Sequence, residues 1–265
     1  MPHAEYGNLK INHSWTTIEF NRSFIDPVVI IKSTTVNGKQ PVHVRIKDVR
    51  CHNFTVKLEE WEYSDGIHKF ENVSFIVFDK GEHIISGKRI IVGKAEINHR
   101  FNEIFFNDTD TIFQEPPVVF TQSQTFEGSD PIVTRNKKIT NRSVFVKVQE
   151  EEGSHDKGWH KREIVGYIAM EEGLYPDFNN MEIGKTQNTV NHTWSDIFFD
   201  RIYSNPPALI MDMQTTKGID TAELRYKWRP SHYYKVEVRA EEERSKDFET
   251  RHLKESIGYM VLRTV

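Results

Sequence analysis

The sequence predicts an all-β protein made of three tandem antiparallel β-sandwich domains of about six strands each. Three observations carry this expectation. First, one set of residues recurs at a domain-sized interval: Arg45, Arg135 and Arg225 fall 90 residues apart, as do Gly38, Gly128 and Gly218, Pro27, Pro117 and Pro207, and Val56, Val146 and Val236. Solenoid units run to roughly 20–50 residues, so this interval is too long for one, yet it suffices for a small domain. Second, short β-branched or alternating segments are separated by Gly, Pro, Asn and Asp, at the spacing of sandwich strands. Third, no stretch sustains the 3.6-residue period of a helix.

In the first copy the elements read in order as follows. Asn12-His13-Ser14-Trp15 opens the unit as a turn, since Asn bonds its own backbone readily. Trp15 to Phe20 follows as a strand. Pro27 to Lys32 is a β-branched buried strand, whereas Val42 to Lys47 and Phe54 to Trp61 alternate with period two. Val73 to Phe78 closes the unit. The later copies repeat the opening phrase at Asn98-His99-Arg100-Phe101 and Asn191-His192-Thr193-Trp194. They repeat the second strand at Pro117 to Phe120 and Pro207 to Ile210, and the last at Val165 to Met170 and Ile257 to Leu262. The points where the phrases restart place the domains at 1–83, 84–173 and 174–265. Neither junction is Gly/Ser-rich or Pro-rich, so the units are expected to pack on one another.

Alternation assigns faces. Val42, Val44 and Ile46 turn toward the sandwich interior, leaving His43, Arg45 and Lys47 on the opposite face. Val56 and Leu58 go inward on the next strand, so Lys57, Glu59 and Trp61 project beside Arg45. The same logic puts Arg135 near Gln149 and Glu151, and Arg225 near Arg239 and Glu241. The expectation is an outward face. It serves either as a cross-strand ion pair or as a polar recognition surface with an indole beside guanidinium donors; burial of Trp61 against another repeat or subunit fits that indole as well. His68, His160 and His252 each precede a Glu by three residues. A structural hydrogen bond at the start of the last strand is the first reading for them, a ligand-facing imidazole the second.

The bulk chemistry narrows the function. The formal net charge of −4 over 265 residues argues against nucleic acid or an anionic membrane as the main partner. No apolar run approaches the roughly 20 residues of a spanning helix. Cys51 is the single cysteine, so an internal disulfide is excluded. Seven N-x-S/T sequons, among them Asn12, Asn107 and Asn191, read as incidental. The opening Met1-Pro2-His3-Ala4-Glu5 lacks a signal-peptide layout, so the expectation is action outside the cell or on a particle surface after non-classical release. No cofactor or metal is expected. Adjacent carboxylates such as Glu59-Glu60 point to opposite faces of a strand and cannot flank one glycosidic bond, so no enzyme is expected either.

The ordered set of strand, Pro-Pro-Val, Gly loop, Arg-bearing strand, strand running into Trp61 and aromatic-rich last strand resembles the H-type lectin domain, three times over. That resemblance implies a six-stranded β-sandwich that binds galactose or N-acetylgalactosamine-type glycans and assembles as trimers, either within the chain or as a homo-oligomer. By position it implies carbohydrate contacts from Arg45, Arg135 and Arg225. It further implies contacts from Trp61 with Glu151 and Glu241 in the later copies, from Glu62 after that Trp, and from His68, His160 and His252. Two readings therefore stand. One is a non-catalytic, multivalent carbohydrate-binding protein. The other is a structural or adhesion module of a surface particle or fibre, such as a virion or tail component, in which the same face serves assembly.

Overall fold

The computed structural model describes residues 4–106, 113–153, 159–230, 233–247 and 249–264. Asn107 and the first three residues lie outside them. The described chain is all-β, as the sequence predicts. The first copy comprises β1 (Ala4–Ile11), β2 (Thr16–Glu19), β3 (Pro27–Ile31), β4 (Val42–Lys47), β5 (Asn53–Glu60) and β6 (Glu71–Asp79). The second comprises β7 (Gly81–Ile85), β8 (Lys88–Ile97), β9 (Asn102–Phe105), β10 (Val118–Ser123), β11 (Ile132–Lys137), β12 (Ser143–Glu150) and β13 (Glu163–Met170). The third comprises β14 (Gly173–Tyr175), β15 (Met181–Lys185), β16 (Ser195–Tyr203), β17 (Ala208–Met213), β18 (Ala222–Lys227), β19 (Tyr233–Glu242) and β20 (Ile257–Leu262).

Each copy is two antiparallel sheets face to face. The inner sheets run β1-β6-β3, β10-β13-β8-β7 and β14-β15-β20-β17; the outer sheets run β2-β5-β4, β11-β12-β9 and β16-β19-β18. Strand β7 starts at Gly81 and pairs with β8, so the chain enters the second sandwich slightly before residue 84. Ser86 and Gly87, both at positive φ, make the two-residue turn of that hairpin, a geometry whose twist matches the strands.

Strands β3, β10 and β17 of the inner sheets are buried on both faces, and this explains their composition. In β3, Val29 and Ile31 enter the core of the first sandwich, with Phe54 and Val56. Val28 and Ile30 turn the other way, into a core shared by all three copies, where they meet Val118 and Phe120 of the second and Ala208 and Ile210 of the third. A strand with two dry faces carries a continuous apolar run in place of alternation. The three sandwiches thus wrap their inner sheets around a common apolar centre.

Candidate functional site

The seams between copies gather most residues that the sequence singles out. Arg45, Arg135 and Arg225 stand at matching places on β4, β11 and β18, and all are buried, at 1%, 0% and 0% exposure. Each guanidinium reaches across to the glycine turn of the next copy. Arg45 Nη2 donates to the Gly128 carbonyl at 3.3 Å, and Arg135 Nη2 to that of Gly218 at 3.0 Å. Arg225 Nη2 returns to Gly38 of the first copy at 3.5 Å, and its Nε donates to Thr35 O at 2.8 Å. First holds second, second holds third, and third holds first. A head-to-tail contact that closes after three steps makes a ring.

The glycine turn is held from beneath by the His-x-x-Glu phrase. Glu71 accepts from the Asn37 and Gly38 amides at 2.7 Å, Glu163 from Gly128 at 3.2 Å, and Glu255 from Gly218 at 2.9 Å. Each also faces its own histidine: His68 Nε2 lies 3.2 Å from Glu71, His160 Nε2 3.1 Å from Glu163 and His252 Nε2 3.3 Å from Glu255. The other ring nitrogens face Glu60, Glu150 and Glu242 at 2.7, 2.7 and 2.5 Å. A Cβ on Gly128 would sit 2.3 Å from His160 Cε1, and one on Gly38 2.4 Å from His68 Nε2. Only glycine lets the turn lie on the imidazole, and this close approach accounts for the recurrence of that residue.

Charge is distributed accordingly. Burial alone would raise Glu163 and Glu255, but hydrogen bonds from His160 or His252 and from the threonines Thr125 or Thr215, together with the Arg45 or Arg135 charge, hold both carboxyls at about 2. Burial would lower His160 and His252, yet the flanking glutamates win and raise both imidazoles. Arg45 Nε also lies 3.1 Å from Glu59, and Arg225 Nη1 donates to Glu241 at 2.6 Å.

These positions correct the expected outward face. Alternation tells correctly that Arg45, His43, Glu59 and Trp61 leave the sandwich interior, but the next copy packs on that side. Trp61 is 2% exposed and its ring lies 4.6 Å from that of His43. His68, His160 and His252 are likewise buried, so the ligand-facing imidazole gives way to the structural one. As placed, Arg45, Arg135, Arg225, Trp61 and the three histidines present no open surface to a glycan. A second correction concerns alignment. Val42 faces Glu60 and Ile132 faces Glu150, but Ala222 faces Glu242, two residues further on. Counted by that register, Trp61 corresponds to Glu151 and Glu243, not Glu241, and Val56 and Val146 correspond to Val238, not Val236.

Near Trp61 a row of main-chain amides crosses the seams. The Glu62 amide donates to Glu151 at 2.9 Å, the Glu152 amide to Glu243 at 2.8 Å, and the Arg244 amide to Tyr63 Oη at 2.9 Å. Burial, then the charges of Glu243, Glu62 and Asp130, push Glu151 up to about 7 against the hydrogen bond from Glu62. An unfolded glutamate titrates near ~4.3. The folded state therefore binds this proton more tightly, and stability from this group is present below that value and lost as pH rises toward about 7. Glu163 and Glu255 act oppositely, losing stability as pH falls toward about 2. Melting scans across the window from about pH 4.3 to neutrality should show a steeper fall for the native chain than for Glu151→Gln. Parallel curves would refute this role.

Two further sets of seam residues escaped the sequence reading. Gln124 Oε1 accepts from the Val29 amide at 2.9 Å while its Nε2 donates to Val29 O at 2.8 Å; Gln214 does the same to Val119. Each side-chain amide satisfies one residue of an inner edge strand. Their 90-residue spacing was a usable signal. Lys32, Gln122 and Asp212 also fall 90 apart. Lys32 Nζ lies 2.7 Å from Asp212 and donates to Thr134 Oγ1 at 3.0 Å, touching all three copies at once. Asp212 Oδ2 accepts from the Thr121 amide at 2.8 Å and Asn136 Nδ2 at 3.1 Å.

The chain is similar to Halomucin of Haloquadratum walsbyi (strain DSM 16790 / HBSQ001). The two are 31% identical over 271 residues, which covers 96% of this chain. The chain spans 3% of the length of Halomucin. No family model matches the chain, and no solved structure matches it. Among the described residues no helix is long and apolar enough to cross a membrane.

Proposed function

We propose that the chain is a non-catalytic surface or adhesion module, a rigid building block in which three lectin-like sandwiches are fused into one ring. The single observation that carries this reading is the closure of the seams. The recurrent Arg, Gly, His and Glu are spent on holding copy to copy, with the Arg225–Gly38 step joining last to first. Burying so much charge for assembly serves a part that must keep its shape. Likeness to Halomucin supports a place at a cell surface or outside the cell. The closed threefold arrangement also supports the H-type lectin resemblance at the level of assembly, with any glycan contact made by residues other than the buried Arg45, Trp61 and His68.

The test has two arms. Calorimetry of the intact chain is expected to show one cooperative transition with equal calorimetric and van't Hoff enthalpies, because no copy keeps its inner face dry alone. Three separated transitions would sink the rigid-block reading. Displayed on a host cell through a membrane anchor, the chain is expected to raise attachment to surfaces under flow. Attachment equal to that of the bare anchor would sink the adhesion reading.

A further inference from the structure

The opening phrase of each copy takes no part in the arginine–glycine clasps, and it builds the same feature three times on the outer sheet. Asn12, Asn98 and Asn191 each accept the amide two residues on, at 3.0, 2.9 and 2.9 Å, turning the chain so that Trp15, Phe101 and Trp194 lie across two strands. Two cations from those strands sit over each ring. Lys47 and Lys57 lie 4.5 and 4.9 Å from the Trp15 centroid. Lys137 and Lys147 lie 3.6 and 5.1 Å from that of Phe101. For Trp194 the pair is Lys227 at 4.4 Å and Arg239 at 4.8 Å.

Two like charges held side by side repel, so the arrangement needs a compensating term. The ring face supplies part of it as a cation–π contact. Acidic neighbours supply some elsewhere: Lys57 pairs with Glu59 at 2.8 Å, Lys227 with Glu237 at 3.3 Å, and Arg239 with Glu241. Among the described residues Lys47, Lys137 and Lys147 have no ion-pair partner. In the second copy, burial and then the charges of Arg135 and Lys137 bring Lys147 down to about 8. An incoming anion would relieve that crowding. At the first seam Lys47 lines a cleft of about 830 Å³, with Arg50, Lys94 and Phe126 and the acceptors Asp48 and Glu127. The Phe126 ring meets Trp15 edge-on at 5.5 Å.

We propose that these three aromatic-backed cation pairs form a repeated binding surface for an acidic polysaccharide, carboxylated or sulfated, with the first-seam cleft as its deepest point. The ring fixes the ammonium groups in advance, which lowers the cost of ordering them on binding. Lys47 takes an anionic group, while Asp48 and Glu127 accept from sugar hydroxyls. A ligand carrying both anions and hydroxyl donors meets that mixed lining. A phosphodiester strand, dense in charge and poor in hydroxyls, meets acidic neighbours at the first and third pairs, on a chain of net charge −4. Three weak sites on one rigid body add through multivalency.

The experiment measures binding of the intact chain to immobilised dextran sulfate, polygalacturonate, neutral dextran and a single-stranded DNA oligonucleotide, at low and high salt. Binding to one or both acidic polysaccharides, weakened by salt and absent for neutral dextran, is expected. Which of the two binds tells sulfate from carboxylate. The combined Lys47→Ala, Lys137→Ala and Lys227→Ala variant is expected to lose about tenfold or more in affinity at an unchanged melting temperature. If that variant melts early, Lys137→Glu alone is expected to weaken binding. The proposal is overturned if neither polyanion binds, if the variants bind as the native chain does, or if the oligonucleotide binds as tightly. The rigid-block reading does not depend on this site, and calorimetry reports on it separately.

Discussion

Arg225→Ala is expected to destabilise the whole chain by about 3–5 kcal/mol, the range for removing one partner of a buried ion pair. Arg225 closes the ring, and its loss takes the buried guanidinium from two carboxylates. Glu71 loses a partner at 3.0 Å and Glu241 one at 2.6 Å, while the Thr35 and Gln40 carbonyls lose donors at 2.8 and 3.1 Å. In a chain of this size that corresponds to a fall in melting temperature of roughly 10 °C. Urea titration checks the magnitude. Because the first and last copies meet at this seam, limited proteolysis should cut the variant sooner than the native chain. A loss below about 1 kcal/mol would place Arg225 with exposed pairs, whose worth is small, and would refute ring closure as a stabilising feature.

Asp212→Ala is expected to cost a similar amount by a different route. It leaves the Lys32 ammonium, 4% exposed, without its close partner at the point where all three copies meet. Glu223 stands 4.0 Å away and offers only partial compensation. The Thr121 amide and Asn136 Nδ2 lose an acceptor as well. The informative comparison is the double variant Lys32→Gln with Asp212→Gln, which puts three glutamines at matching positions beside Gln122. Without a stranded charge it is expected to lose less than Asp212→Ala alone. Coupling between Lys32 and Asp212 in a double-mutant cycle should reach the upper part of the ~0.5–3 kcal/mol range for contacting residues. A double variant as damaged as the single one would show that the charges themselves are not what Asp212 contributes.

The fold was legible because its signals are local. Strands β4 and β5 alternate, β3 is a β-branched run after Pro27, and Gly and Pro recur at one interval, so backbone path and copy number could be read off residue by residue. The Asn turns were equally legible, since Asn12, Asn98 and Asn191 bond amides two residues away. The site was not. Period-two alternation places Arg45 and Trp61 on the far side of their sheet, but says nothing about what covers that side. A long polar side chain such as Arg135 invites an exposed reading unless its partners are known. Those partners, the Gly218 carbonyl and Glu255, lie in another copy. The displaced count in the third copy had a similar origin: Lys227 pairs with Glu237, two residues further along than the matching partners Thr55 and Phe145, and counting along the chain does not show which residues pair.

By itself the sequence determined three copies, their sandwich class and the residues that recur in each, because those follow from propensity, periodicity and turn chemistry within one copy. Only the tertiary structure decided that the copies close on themselves. Closure turned the apolar runs of β3, β10 and β17 into one shared core and the recurrent arginine into a buried clasp. The physical reason is that burial and pairing belong to a surface together with whatever meets it, and a surface met by another copy of itself looks, in one dimension, like a surface facing water.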